Sequence, residues 1–320
     1  MSLFPKRFVA ISSSSAILSW LMTQLVLSQP ETTSKTISSA ESIDLLEAFG
    51  LGVVQGLTEF LPISSTAHLK VVPVVLGWGD PGVAFTAVIQ LGSIAAVLWY
   101  FWQDLATITT GSLKAIRDRN YKSFEFRLAL GIGIGTIPIV FFGLLIKRYI
   151  PDFDNSPLRS LGSIAVASMV MSLFLGIGEL VGKRRRNFEN LTVLDGIWMG
   201  LAQALALIPG VSRSGSTLTS GLFTGLERAT AARFSFLLGI PAITLAGLVE
   251  LKDVVSTGLG NTGFVPLIVG IISAAIFSYL SIAFLLRFLQ TKTTWIFIWY
   301  RLGFGLLILG AIATGFLKNT

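Results

Sequence analysis

The chain has 320 residues, of which 52% are apolar and only 13% charged, the balance of a polytopic membrane protein rather than a soluble one. Its net charge of +7 sits in short basic clusters between apolar runs, as on the inside-facing loops of membrane proteins, which argues against nucleic acid as a partner. Cysteine is absent, so disulfides, thiolate metal sites and a cysteine nucleophile are excluded.

Residues 1–40 read as an extension in which Lys6 and Arg7 precede an apolar, serine-rich stretch and then a polar segment. This is the pattern of a signal peptide or a weak anchor, and no A-x-A site decides between them. Either way, residues 30–42 are expected outside the cytoplasm. The remainder, 41–320, reads as one membrane domain without an internal linker. Apolar runs of about 20 residues, enough to cross the hydrocarbon core as helix, predict full spans at 84–102, 128–146, 161–181, 230–249, 264–286 and 295–316.

The loops orient these spans. Segment 103–127 carries Lys114, Arg117, Arg119, Lys122 and Arg127, and "KRRR" at 183–186 is the densest basic run, so both are expected on the cytoplasmic side. Segment 147–160 is less basic and falls outside, and alternation then places 250–263 outside and 287–294 inside. Two stretches do not fit a simple crossing. Residues 43–80 must start and end outside, and 190–227 must start and end inside.

Each of these stretches breaks at a proline followed by small hydroxyl residues, "LPISSTAH" and "IPGVSRSGS". Proline blocks helix continuation, and irregular backbone at membrane depth is tolerated only beside protein or a wet cavity. Two re-entrant helical hairpins are therefore expected, with their turns meeting in the interior. Gln55 and Gln203 stand 148 residues apart, as do Ser64 and Ser212, and "QLGS" at 90–93 is answered by "LLGI" at 237–240. The fold class is thus all-α: a polytopic helical bundle of six spans and two re-entrant hairpins. Two inverted-topology repeats, about 43–146 and 190–286, place a site near the midplane.

The first turn gathers Glu59, Ser64, Ser65, Thr66 and His68, the chain's only histidine. Ionisable groups inside a membrane are costly and usually carry function. Ser64 or Ser65 capping the returning helix is the plainer reading, but it accounts for neither Glu59 nor His68. The second turn offers Arg213 between Ser212 and Ser214, with Gly210 and Gly215 allowing close backbone approach. A helix beginning near Ser214 aims its free N–H groups into the same space, and arginine adds a fork suited to phosphate oxygens. A structural ion pair with Glu59 is the alternative role for Arg213.

A phosphorylated substrate follows, and phosphoryl transfer needs positioning, charge neutralisation and a nucleophile or oriented water. One histidine excludes any mechanism requiring two. Ser65 or water as nucleophile, and His68 as base or acid, remain open. Arg233 and Arg301 sit near the predicted cytoplasmic ends of spans and are expected to reach toward headgroups, with Arg233 kept as an outer contributor to substrate binding. Gln90 reads as polar packing between helices, and Trp78, Trp99, Trp102, Trp295 and Trp299 as an interfacial belt.

"EFLPISSTAHL" and "PGVSRSG", with "FTAVIQLGS" and "RFSFLLGIP" behind them, resemble the undecaprenyl-diphosphatase family, also called bacitracin-resistance proteins. The resemblance runs from about residue 42 to the C-terminus. It implies an enzyme of the bacterial plasma (inner) membrane that converts undecaprenyl diphosphate to undecaprenyl phosphate plus phosphate, recycling the lipid carrier of peptidoglycan synthesis. It further implies an active site facing the outer side, a divalent cation such as Mg²⁺ or Ca²⁺, and bacitracin acting only by competition for substrate. Membrane lipid is then a partner, and a homodimer is compatible.

Carried over by position, Glu59 is the metal-binding or acid-base carboxylate, Ser65 the nucleophile, His68 its partner or the alternative nucleophile, and Arg213 the diphosphate clamp. Ser64, Thr66, Ser212 and Ser214 line the site. Gln55 stands where many relatives have a second carboxylate, which weakens a two-carboxylate metal site. The rival class is a polyprenyl-phosphate or anion transporter, because inverted repeats with broken helices also build carriers. A hydroxyl cluster beside a base and a carboxylate favours bond cleavage over carriage. An intramembrane serine protease would leave Glu59 and Arg213 without a task.

Overall fold

The computed structural model describes residues 43–319 except 80, 151, 154, 155 and 258–262; the expected N-terminal extension lies outside the described residues. Among the described residues eleven α-helices account for the regular structure. They are α1 Leu45–Phe60, α2 Ser65–Val75, α3 Gly82–Tyr100, α4 Trp102–Arg117, α5 Phe124–Tyr149, α6 Leu161–Val181, α7 Val193–Ala204, α8 Arg213–Phe223, α9 Arg228–Thr257, α10 Phe264–Thr291 and α11 Trp295–Ala313.

The six expected spans coincide with α3, α5, α6, α9, α10 and α11. Five of these are each long and apolar enough to cross a membrane; the sixth, α3, meets the criterion together with α4, from which it is bent by 63°. Large apolar side chains such as Ile137, Phe141, Leu173, Ile272, Leu280 and Leu307 point outward from these helices, as expected where lipid is the solvent. The chain is a multi-pass membrane protein.

Segment 103–127, expected as a basic loop, is largely the helix α4. Its residues divide by spacing: Ile108, Ser112 and Ala115 are buried, while Trp102, Leu113 and Ile116 form an exposed apolar stripe. That helical periodicity outweighs the polar composition. The "KRRR" run is likewise more than a topological marker. Arg184 binds Glu179, and Arg186 makes a two-point pair with Asp195, a hydrogen bond that holds the Arg186 guanidinium above its ordinary pKa. Arg228 and Thr294 also converge on Glu179.

The helices entering the two turns begin alike. Asp44 and Glu47 form a capping box on α1, and Thr192 and Asp195 form one on α7, so the first free N–H groups of both are satisfied. Helix α10 packs along α1 and α3, while α5 packs along α7. Small residues make both approaches close: a Cβ on Gly52 would lie 2.4 Å from the Gly270 carbonyl oxygen, and one on Gly200 2.2 Å from that of Gly135. Backbones in contact gain dispersion where lipid offers no hydrophobic drive.

This contact has a measurable consequence. Gly200→Val is expected to force α7 off α5 and to cost about 1–3 kcal/mol or more, as overpacking does. Gly133→Ala on α5, where an added Cβ meets nothing within 4 Å, serves as the tolerated control. Thermal unfolding in detergent reads the difference, and equal melting temperatures for the two variants would contradict the packing described.

Candidate active site

Both helical breaks turn on a serine in the left-handed region. Ser64 has φ 72° and ψ 97°, and Ser212 has φ 70° and ψ 118°. Such backbone costs a residue with a Cβ roughly 1–3 kcal/mol and persists only where its surroundings enforce it. Here the two turns enforce each other. Ser214 Oγ donates to the Leu61 carbonyl at 2.9 Å, crossing from the second turn to the first. The Ser212 side chain caps α8 by accepting from the Gly215 N–H at 3.3 Å. Gly210 has φ 94°, and a Cβ there would lie 2.2 Å from the Ile164 carbonyl oxygen.

Arg301 joins the two turns. Its side chain is buried, and its guanidinium donates to the carbonyls of Pro62 at 3.2 Å, Gly210 at 3.0 Å, Val211 at 2.9 Å and Ser168 at 3.1 Å. A Cβ on Gly215 would lie 2.6 Å from Arg301 Nη1, so the glycine leaves room for this group. The expectation that Arg301 reaches toward headgroups is corrected. Its charge is needed inside because two broken helices expose carbonyls that no helix of their own can satisfy. Proximity to a predicted span end carried no hint of this.

Glu59 sits one residue before the end of α1, at the meeting of the turns. One carboxylate oxygen accepts from Ser65 Oγ at 2.8 Å and from Gln55 Nε2 at 3.3 Å, while the other lies 3.4 Å from Arg213 Nη2. Gln55 continues the network to Ser93, the serine of "QLGS", and Ser278 donates to Ser93 at 2.8 Å. Arg213 is the first residue of α8. It lies over the Phe60 ring at 5.9 Å and against Gly239, the glycine of "LLGI", where a Cβ would come within 2.0 Å of Nη1. That same Nη1 is buried without a hydrogen-bond partner among the described residues.

The ion pair considered as Arg213's alternative role therefore exists, yet it leaves half of the guanidinium unused. The lone histidine is arranged differently from a serine's base. His68 Nδ1 lies 2.7 Å from the Ser64 carbonyl and Nε2 lies 2.7 Å from the Tyr300 hydroxyl. Ser65, for its part, is hydrogen-bonded to Glu59. Tyr300 went unread in the sequence because an aromatic near a span end reads as belt.

A polar cavity of about 1230 Å³ reaches this cluster, lined by Gln55, Ser65, Thr66, Lys70, Gln90 and Arg159 among others. Gln90, expected as helix packing, faces it. Arg233 is elsewhere, paired with Asp104 and lying 4.1 Å over the Phe188 ring. A smaller hollow of about 530 Å³ among Met171, Trp198 and Phe223 is lined by no ionisable side chain.

The donor set suits a hard cation carried by its substrate. Glu59 and Gln55 lie side by side, the Gln55 amide donating to the Glu59 carboxylate, and each carries an oxygen of the kind a hard cation takes together with phosphate oxygens. Among the described residues no three His, Cys, Asp or Glu side chains converge, so these side chains alone would not complete a cation's shell. The arrangement as a whole offers a hydroxyl with a carboxylate acceptor, a half-free guanidinium and a polar approach.

Residues 48–307 match the family model of the bacitracin resistance protein BacA. The undecaprenyl-diphosphatases of Trichormus variabilis and of Nostoc sp. are each 66% identical to the chain, covering all of both sequences. That of Gloeobacter violaceus is 55% identical over 87% of this chain and 96% of its own. Matches of this extent across the whole helical bundle leave one assignment: the chain belongs to the bacitracin resistance protein BacA family, whose curated cyanobacterial members are undecaprenyl-diphosphatases.

Proposed function

We propose that the protein hydrolyses undecaprenyl diphosphate to undecaprenyl phosphate and inorganic phosphate, returning the lipid carrier to peptidoglycan synthesis. The observation that carries the chemistry is the Ser65 hydroxyl held 2.8 Å from Glu59 beside Arg213. The terminal phosphate draws Arg213 toward itself, using the unpartnered Nη1. Glu59, already the acceptor for the Ser65 hydroxyl, takes the Ser65 proton. Ser65 Oγ then attacks the terminal phosphorus, the bridging P–O bond breaks, and undecaprenyl phosphate leaves with the bond's electron pair. Water cleaves the phosphoserine and releases phosphate. Positioning and charge neutralisation supply most of the acceleration, as in phosphoryl transfer generally.

Mg²⁺ or Ca²⁺ held by Glu59, Gln55 and the substrate would neutralise phosphate charge. Gln55→Glu, which adds a second carboxylate, should lower the cation concentration for half-maximal rate by roughly tenfold. An unchanged cation dependence would remove Gln55 from the site.

The similar backbone angles at Ser64 and Ser212, and the paired capping boxes, support two related halves with re-entrant hairpins. Their last helices are exchanged, α5 resting on α7 and α10 on α1. The cavity wall includes Phe153, Ser156, Arg159 and Asp253, from segments opposite the basic loops. That supports a mouth on the outer face.

Phosphate release by the purified protein from long-chain prenyl diphosphate, with and without chelator, tests the activity. Movement of undecaprenyl phosphate across vesicles at the wild-type rate by a His68→Ala protein whose hydrolysis is strongly reduced would instead favour the carrier reading.

A further inference from the structure

His68 is held at both ring nitrogens. A carbonyl only accepts, so the 2.7 Å contact to Ser64 requires the proton on Nδ1. Neutral imidazole then has a lone pair on Nε2, and the Tyr300 hydroxyl at 2.7 Å must donate to it. The rings are also clamped. His68 lies parallel to Phe304 with centroids 4.4 Å apart and to Tyr300 at 5.6 Å, with interplanar angles of 7° and 8°. Tyr300 and Phe304 are themselves stacked, one helical turn apart on α11. His68 is buried, so water does not compete for Nε2.

We infer that Tyr300 is a positioning residue for His68, its hydroxyl fixing the Nδ1–H tautomer and occupying the Nε2 lone pair. This deepens the hydrolase reading and rests on it for the kinetic part. Two consequences follow for the reaction. In the resting enzyme the Ser65 proton has Glu59 as its acceptor, because Nε2 is already engaged. His68 becomes available to a proton only when Tyr300 turns aside or reverses its hydrogen bond, so α11 controls when the imidazole takes part. The charged group adjoining this arrangement is Arg301, the next residue on the same helix, which holds the turns rather than the ring.

The test exploits the single histidine of the chain. Protein labelled with ¹⁵N-histidine and purified through a histidine-free tag gives imidazole signals from His68 alone. Wild type is expected to show one protonated nitrogen, Nδ1, and one lone-pair nitrogen, Nε2, whose shift reflects an accepted hydrogen bond. Tyr300→Phe keeps the ring stack but removes the hydroxyl, and should move the Nε2 signal or populate the second tautomer.

In phosphate release, Tyr300→Phe should lower kcat about tenfold or more with little change in KM, a fraction of the range for acid-base residues. In the His68→Ala background the same substitution should have no further effect. An unchanged Nε2 signal, or equal losses from Tyr300→Phe with and without His68, would overturn the inference. The spectrum does not depend on turnover. A protein that showed the expected shifts but released no phosphate would therefore refute the hydrolase reading and leave the Tyr300 contact standing.

Discussion

Glu59→Gln should reduce kcat for phosphate release by roughly 10²–10⁴-fold, the range for loss of a general base, while the protein stays folded. Glutamine keeps the shape and can still accept from Ser65 Oγ, now 2.8 Å from the carboxylate, but it is too weak a base to take the proton. It also leaves Arg213 without the anion 3.4 Å away. Both side chains are largely buried, so removing one charge destabilises the other until an anion arrives. The variant should therefore bind inorganic phosphate more tightly than wild type does, because phosphate no longer displaces a carboxylate. Initial rates at saturating substrate and phosphate binding by calorimetry check the two halves separately. Retention of more than about a tenth of the wild-type kcat would exclude Glu59 as the base.

The second large effect belongs to Arg301. Replacing it with methionine strips donors from the carbonyls of Pro62, Gly210, Val211 and Ser168. A buried acceptor left unpaired costs about 1–3 kcal/mol, so several together amount to much of a typical domain's stability. Arg301→Met is expected not to survive detergent extraction as a monodisperse species. Arg301→Lys is the more informative variant, because it keeps the charge but has three donors on one atom and no planar fork. It should fold with a lowered melting temperature and lose most phosphate release, since the two turns are no longer held in register. A lysine variant with wild-type melting and turnover would show that the fork is dispensable.

What the residues disclosed, and what they withheld, follows from how each signal arises. The spans were legible because lipid imposes a length and a composition on every crossing helix. The breaks were legible because proline beside serines is a backbone statement, and both Ser64 and Ser212 indeed carry positive φ. Glu59, Ser65 and Arg213 converge as polar groups in an apolar chain must. That Ser65 pairs with Glu59 rather than with His68 was not legible, since three residues along a helix do not reveal which neighbour each side chain chooses. Arg301, Tyr300 and Ser93 act across more than 180 residues of sequence. Nothing local distinguishes a buried arginine near a span end from one that reaches the headgroups. Helix α4 was missed for the opposite reason: charge density masked a clear periodicity.

The contact between His68 and Tyr300 spans 232 residues, and it also sets a clock on the making of the enzyme. During synthesis the first turn enters the membrane early, with its carboxylate, serine and imidazole already present. Its brace, α11, is made long after it. Until then Arg301 is missing from the carbonyls of both turns and Tyr300 from the imidazole, so a nascent or C-terminally truncated chain holds every reacting group without the frame that aligns them. The first turn thus gains its frame only once α11 has joined it.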